Sequence, residues 1–173
     1  MFQRLAMLLD ASRSRLAIYT EAEGLLSALA HDLELLATDL QGEVTGNEAS
    51  LRVSPGSIRV SGVMKRGKLD AGVLSPNDRT TIERQIAIEI LAVPEVVARG
   101  VLEGARATIE VVTARARTRI ACPVSVLDEG AGKRARGCAE VSLAALGAPP
   151  VKGPMGAFRV KDRVRVEFDL VFA

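Results

Sequence analysis

The sequence predicts an all-β fold, an antiparallel barrel or sandwich with one helix inserted mid-chain. Three observations carry this. Val164, Val166, Phe168, Leu170 and Phe172 occupy every second position, and Arg163, Arg165, Glu167 and Asp169 stand between them. That is the period-two pattern of a strand with one face buried. Three further β-rich segments, 106–113, 116–126 and 134–143, precede it. One segment breaks the period: Ile82, Ile86 and Ile90 recur at spacing four, which reads as a helix.

From the N-terminus, Arg4 stands before a short apolar run that Asp10 interrupts. A secretory signal needs an apolar stretch of about 7–15 residues. Residues 1–13 are therefore read as an N-terminal extension of a single domain spanning 1–173. The expected compartment is the cytoplasm, or the periplasm if translation begins upstream. Arg15 to Thr20 is the first strand. Segments 49–54 and 57–63 are two short strands around Ser54-Pro55-Gly56. Ser75 then caps a helix with Pro76 at its first position and Asp78 three residues after the cap, and Pro94 ends it. The helix is expected over about 76–92. Ile88 and Leu91 lie off its main stripe, so cover on more than one side is expected. Cys122 and Cys138 flank a hairpin centred near Gly130. Matching Val124 and Val126 to Ala139, Val141 and Leu143 shifts that hairpin by one residue and puts the cysteines on opposite faces, as two reduced thiols.

Composition narrows the function. At 173 residues, with 48% hydrophobic and 25% charged, the chain can bury a real core and is not disordered. No stretch approaches the ~20 apolar residues of a membrane-spanning helix. A net charge of +2, no Trp and one Tyr offer neither the basic field nor the stacking ladder of a nucleic-acid binder. His31 is the only histidine, and no phosphate loop, nucleophile elbow or zinc-helix motif appears. No catalytic residue, metal ligand or cofactor is assigned. His31 and Asp32 are adjacent on a strand, so they point to opposite faces and make a poor dyad.

Several blocks together resemble YceI-like proteins. Ala30-His31-Asp32-Leu33 and Leu40-Gln41-Gly42-Glu43-Val44 are similar to that family's opening GHDL and F-x-G-x-I motifs. Leu74-Ser75-Pro76-Asn77-Asp78-Arg79, Ile82-Glu83, Ile90-Leu91 and Pro94-Glu95 resemble its L-S-x-x-D-R-x-x-I-E helix. Gly147-Ala148-Pro149-Pro150 and Met155 to Val164 resemble its closing block. The resemblance spans about residues 14–172. The middle strand departs from the family pattern: Val112 to Arg119 keeps little of L-T-L-H-G-V-T-R, with Arg115 at the histidine position and Ala116 at the glycine. The resemblance implies an eight-stranded antiparallel, lipocalin-like barrel. It also implies an apolar tunnel for a long-chain lipid, in the family typically a polyisoprenoid.

The residues expected to line such a tunnel are Leu16, Ile18, Leu33, Leu35, Val60, Val124, Val126, Val141, Leu143, Val164, Val166, Phe168 and Leu170. The bland alternative is that they simply fill a core. Arg115, Arg117 and Arg119 share one strand face by parity, so that face is solvated or forms, with His31, a rim for an anionic headgroup. The expected activity is non-enzymatic binding, carriage or storage of an isoprenoid-like lipid. A second copy of the chain is the other expected partner. The alternative is an interaction module whose filled barrel binds a protein or anionic partner through its surface.

Overall fold

The computed structural model describes residues 4–24, 31–153, 156 and 158–173. In chain order the strands are β1 (Met7–Leu8), β2 (Arg15–Thr20), β3 (Ala22–Glu23), β4 (Asp32–Ala37), β5 (Leu40–Thr45), β6 (Glu48–Val53), β7 (Ile58–Lys65) and β8 (Lys68–Asp70). After the helix α1 (Pro76–Gln85) come β9 (Val96–Glu103), β10 (Arg106–Val112), β11 (Arg117–Glu129), β12 (Gly132–Ser142), β13 (Arg159–Val160) and β14 (Arg163–Phe172).

Twelve of these strands form one antiparallel sheet, in the order β1-β5-β6-β9-β10-β11-β12-β14-β2-β4-β7-β8, and β3 pairs with β13 apart from it. The sheet is strongly curled. Near its two ends stand the two halves of one bent hairpin. Its legs are broken at Thr38-Asp39 and at Ser54 to Ser57, so β5 and β6 lie toward one end while β4 and β7 lie toward the other. Thr38 staples the two corners together, its N–H and Oγ1 both donating to the Ser57 carbonyl at 3.2 and 2.7 Å. The expected eight strands are therefore twelve. Two long strands are cut in two by these corners, and the short β1 and β8 are added at the edges. Pro55, which lacks an N–H, cannot continue a ladder through the second corner.

The N-terminal extension joins the sheet. Met7 stands opposite Val44, and Leu8 and Ala173 exchange backbone bonds at 2.9–3.0 Å. The segment then runs antiparallel along the edge of β14 beyond β2, with Leu9 bridging Phe172, and residues 11–13 pack against that end of the strand. Asp10 N–H donates to the Val171 carbonyl, and Val171 N–H donates to Ser14 Oγ at 3.0 Å. Val171, on the nominally wet side of its strand, is accordingly 1% exposed.

The wall from β9 to β14 follows its alternation closely. On β12 and β14, Val141 faces Val164, Ala139 faces Val166, Gly137 faces Phe168 and Ala135 faces Leu170. Small residues on one strand stand against large ones on the next. A Cβ at Gly137 would lie 2.3 Å from the Phe168 ring, so only glycine leaves that ring its place. The β11–β12 register is the shifted one, with Val124 opposite Gly137 and Glu129 opposite Gly132. Gly130 takes φ 62° at the turn, where a side chain would be strained. Cys122 is buried, Cys138 exposed, and both are free thiols. Burial pushes the Cys122 thiol up.

The helix is shorter and less regular than expected. Its α-helical part ends at Gln85, and Ile86–Ile90 forms a wide π-helical turn closed by Leu91 N–H to the Ile86 carbonyl at 3.0 Å. Ile88 is 61% exposed, not covered. The capping box is present: Ser75 Oγ accepts from Asp78 N–H, and Asp78 accepts from Ser75 N–H. Arg79 and Glu83 clamp the helix to the sheet. Arg79 donates to the carbonyls of Val60 (2.9 Å), Ser61 (3.0 Å) and Ala71, and Glu83 accepts from Val60 N–H at 3.0 Å. The Val60 and Ser61 groups sit where β7 slips register against β4, between Glu34/Leu35, and Ala71 follows β8. A bulge leaves ladder groups unpaired, and the two side chains satisfy them.

Candidate functional site

The inner face of the curled sheet encloses a cavity of about 660 Å³. Pockets for small ligands span roughly 300–1,000 Å³. Apolar side chains dominate the lining. Most come from strand positions of one parity: Ile109 and Val111 on β10, Ile120, Val124 and Val126 on β11, Val164 to Phe172 on β14. The helix contributes Ile82, Gln85, Ile86, Ile90 and Leu91 at one end of the barrel. Val44, Gly46, Asn47, Leu102 and Lys133, from strand ends and turns, line the opposite end. The cavity thus runs the length of the sheet.

All the positions nominated for the interior line this cavity except Val60. Val60 is 4% exposed and packs with Leu35, Ile58 and Ile86 beneath the helix. His31 is exposed and lines the helix end, beside Thr20. The three arginines are not brought to the opening together. Arg115 leaves the strand altogether. It falls in the turn between β10 and β11, and its guanidinium donates to the Leu91 carbonyl at 3.5 Å. Arg117 and Arg119 project from the outer face of β11, 3.7 and 3.9 Å from Glu110. Parity explains this: Thr118, Ile120 and Val124 take the inner side, so the odd positions face solvent.

Other lining residues escaped the sequence reading. Val96, Ala98, Gly100 and Leu102 alternate inward along β9, but two of them are too small to stand out as a stripe. Lys152, Gly153 and Phe158 come from an irregular stretch after Gly147 with no periodicity. Phe158 lies over Gly153, where a Cβ would come within 2.4 Å of its ring.

The outer face carries charge. Asp169 accepts from Arg134 at 2.7 and 2.8 Å and from Arg136 at 3.1 Å. The Arg134 hydrogen bonds hold its carboxyl below the usual aspartate range, aided by Arg136 against a smaller effect of burial. Glu34, 6% exposed, accepts from Tyr19 Oη at 2.9 Å and lies 3.1 Å from Arg15. These pairs fix one sheet face and do not reach the cavity. Among the described residues no cluster of three or more potential metal ligands is found, and no helix is long and apolar enough to cross a membrane.

The fold is shared with a known structure. The crystal structure of Burkholderia cenocepacia BcnA, a YceI-like protein, superposes with a TM-score of 0.65. The match covers 94% of this chain and 98% of BcnA at 14% identity. No family model and no curated protein matches the sequence. The likeness shows the fold they share, a strongly curled antiparallel sheet with one helix.

Proposed function

We propose that this protein is a non-enzymatic carrier or store of a long-chain apolar lipid, isoprenoid-like, held inside the curled sheet. The observation that carries the reading is the cavity: about 660 Å³, walled by Val, Leu, Ile and Phe along the whole sheet. The BcnA-like fold and the YceI-like sequence blocks support it.

The energetics are sufficient without a single hydrogen bond. Burying an apolar chain yields about 0.8 kcal/mol per methylene, so fifteen methylenes give ~12 kcal/mol gross. Association costs at least about 4 kcal/mol of lost freedom. At that lower bound the remainder, about 8 kcal/mol, sets the tightest affinity from fifteen methylenes at roughly micromolar. The branched methyls of an isoprenoid suit a wall in which small and large residues alternate, as Gly137, Ala139 and Ala135 do against Phe168, Val166 and Leu170.

Titration with a fluorescent polyene, followed by displacement with geranylgeraniol, tests the reading. The absence of Trp keeps the optical background low. Saturable binding near one equivalent, displaced by the polyprenol, is the expected result. No saturable binding at tens of micromolar would overturn it.

A further inference from the structure

Among the described residues the cavity lining carries the ammonium groups of Lys133 and Lys152 and the imidazole of His31, and no aspartate or glutamate. The two lysines differ in what surrounds them. Lys133, at the end opposite the helix, is ion-paired with Asp128. Lys152 and His31 line the helix end, where the nearby acids are already engaged. Glu21 holds Lys161 at 2.7 Å, Glu23 holds Arg159 at 2.7 Å, and Asp32 accepts from Ala22 N–H at 2.9 Å. Residues 25–30, 154, 155 and 157 contain no acid, and Lys152 has no carboxylate within 4.0 Å among the described residues. Its backbone is held at the opening by the bridge to Arg159 on β13, and its side chain is exposed.

An unpaired cation on the rim of an apolar cavity favours an anion on a ligand whose tail lies inside. We infer that the ligand is a single-chain amphiphile with an anionic headgroup, a carboxylate or a phosphate. Its head sits at the helix-end opening against Lys152, with His31 beside it, and its tail runs toward Val126 and Phe172. This rests on the lipid-binding reading and gives it a polarity. Arg115 in the turn and Arg117 and Arg119 on the outer face of β11 play no part in it.

Calorimetric titration below the micelle concentration tests this with two matched pairs: oleate against oleyl alcohol, and geranylgeranyl phosphate against geranylgeraniol. In the native protein the anion of at least one pair binds more tightly than its alcohol, by about two- to five-fold, as expected for one exposed ion pair. The pair with the larger advantage identifies the headgroup. Added salt erodes the advantage. Lys152→Gln abolishes it, Lys152→Arg keeps it, and neither changes the alcohols. Equal affinity of anion and alcohol in both pairs would overturn the inference while leaving the lipid reading standing. So would an advantage that survives Lys152→Gln, or one lost in Lys133→Gln instead. Failure of all four ligands to bind would overturn the lipid reading itself.

Discussion

The wall from β9 to β14 and the helix-covered corner at β7 hold the cavity by different means. In the wall each strand pairs with the next, β11 changing its partner from β10 to β12 between Pro123 and Val124, and interior shape is set by which residues alternate inward. At the corner, β7 slips register against β4 and its ladder groups are taken up by two side chains of the helix, Arg79 and Glu83. The wall distributes its stability over many equivalent pairs. The corner concentrates it in a few hydrogen bonds to charged groups, each worth about 1.5–3 kcal/mol. Damage to the corner should therefore cost more per residue than damage to the wall, while changes to the wall should alter what the cavity holds.

Arg79→Met gives the largest expected effect. It leaves the Val60, Ser61 and Ala71 carbonyls without their shared donor. A loss of about 3 kcal/mol is expected, read as a lower urea midpoint at unchanged slope. A loss under 1 kcal/mol would show that the clamp is incidental. In the wall, Gly137→Val drives a side chain into the Phe168 ring. Overpacking of this kind costs about 1–3 kcal/mol, and Phe168 should be displaced into the cavity. Ala135→Leu is the complementary wall change. It adds volume to the lining opposite Leu170. It should weaken binding of a long chain at least ten-fold while shifting the urea midpoint little, a split that the corner variant would not show.

The smallest expected effect is electrostatic and lies on the outer face of the wall, between β12 and β14. Asp169 has its carboxyl held below its ordinary value of 3.8 by Arg134 and Arg136. Its stabilising contribution is thus complete above that value and lost as pH falls through the lowered pKa. Thermal melts between pH 5 and 2 should fall less steeply for Asp169→Asn than for the native protein. An unchanged slope would mean that the pair forms with no preference for the folded state.

The same contrast governs what could be read from sequence. The wall is legible because its inner and outer residues differ in kind. Val164 to Phe172 face inward as the alternation predicts, and the shifted hairpin register followed from matching Val124 and Val126 to the apolar face of β12. The corner is legible only in part. Ser75-Pro76 and Asp78 announce a helix start, and Ile82, Ile86 and Ile90 its inward stripe. The π-helical turn leaves no trace, because its residues are the same isoleucines that suit an α-helix. The number eight was implied by the resemblance and not by the residues: Ser54-Pro55-Gly56 reads as a break between two strands and is one, whereas nothing at Thr38-Asp39 marks the other break. Of the two readings of the arginine face, the solvated one fits Arg117 and Arg119, and Arg115 lies in a turn that strand parity does not foresee. Lys152 lay in a stretch without periodicity, where no pattern marks a side chain near an opening.

The central claim is that an apolar chain occupies the interior, and the most direct test is mass spectrometry of the purified protein, first under native conditions and then after solvent extraction. A native mass above that of the bare chain is expected. The lipid should be released by extraction, with a composition built of five-carbon units and an anionic head. A bare native mass, unchanged after incubation with polyprenols and fatty acids, would contradict the claim.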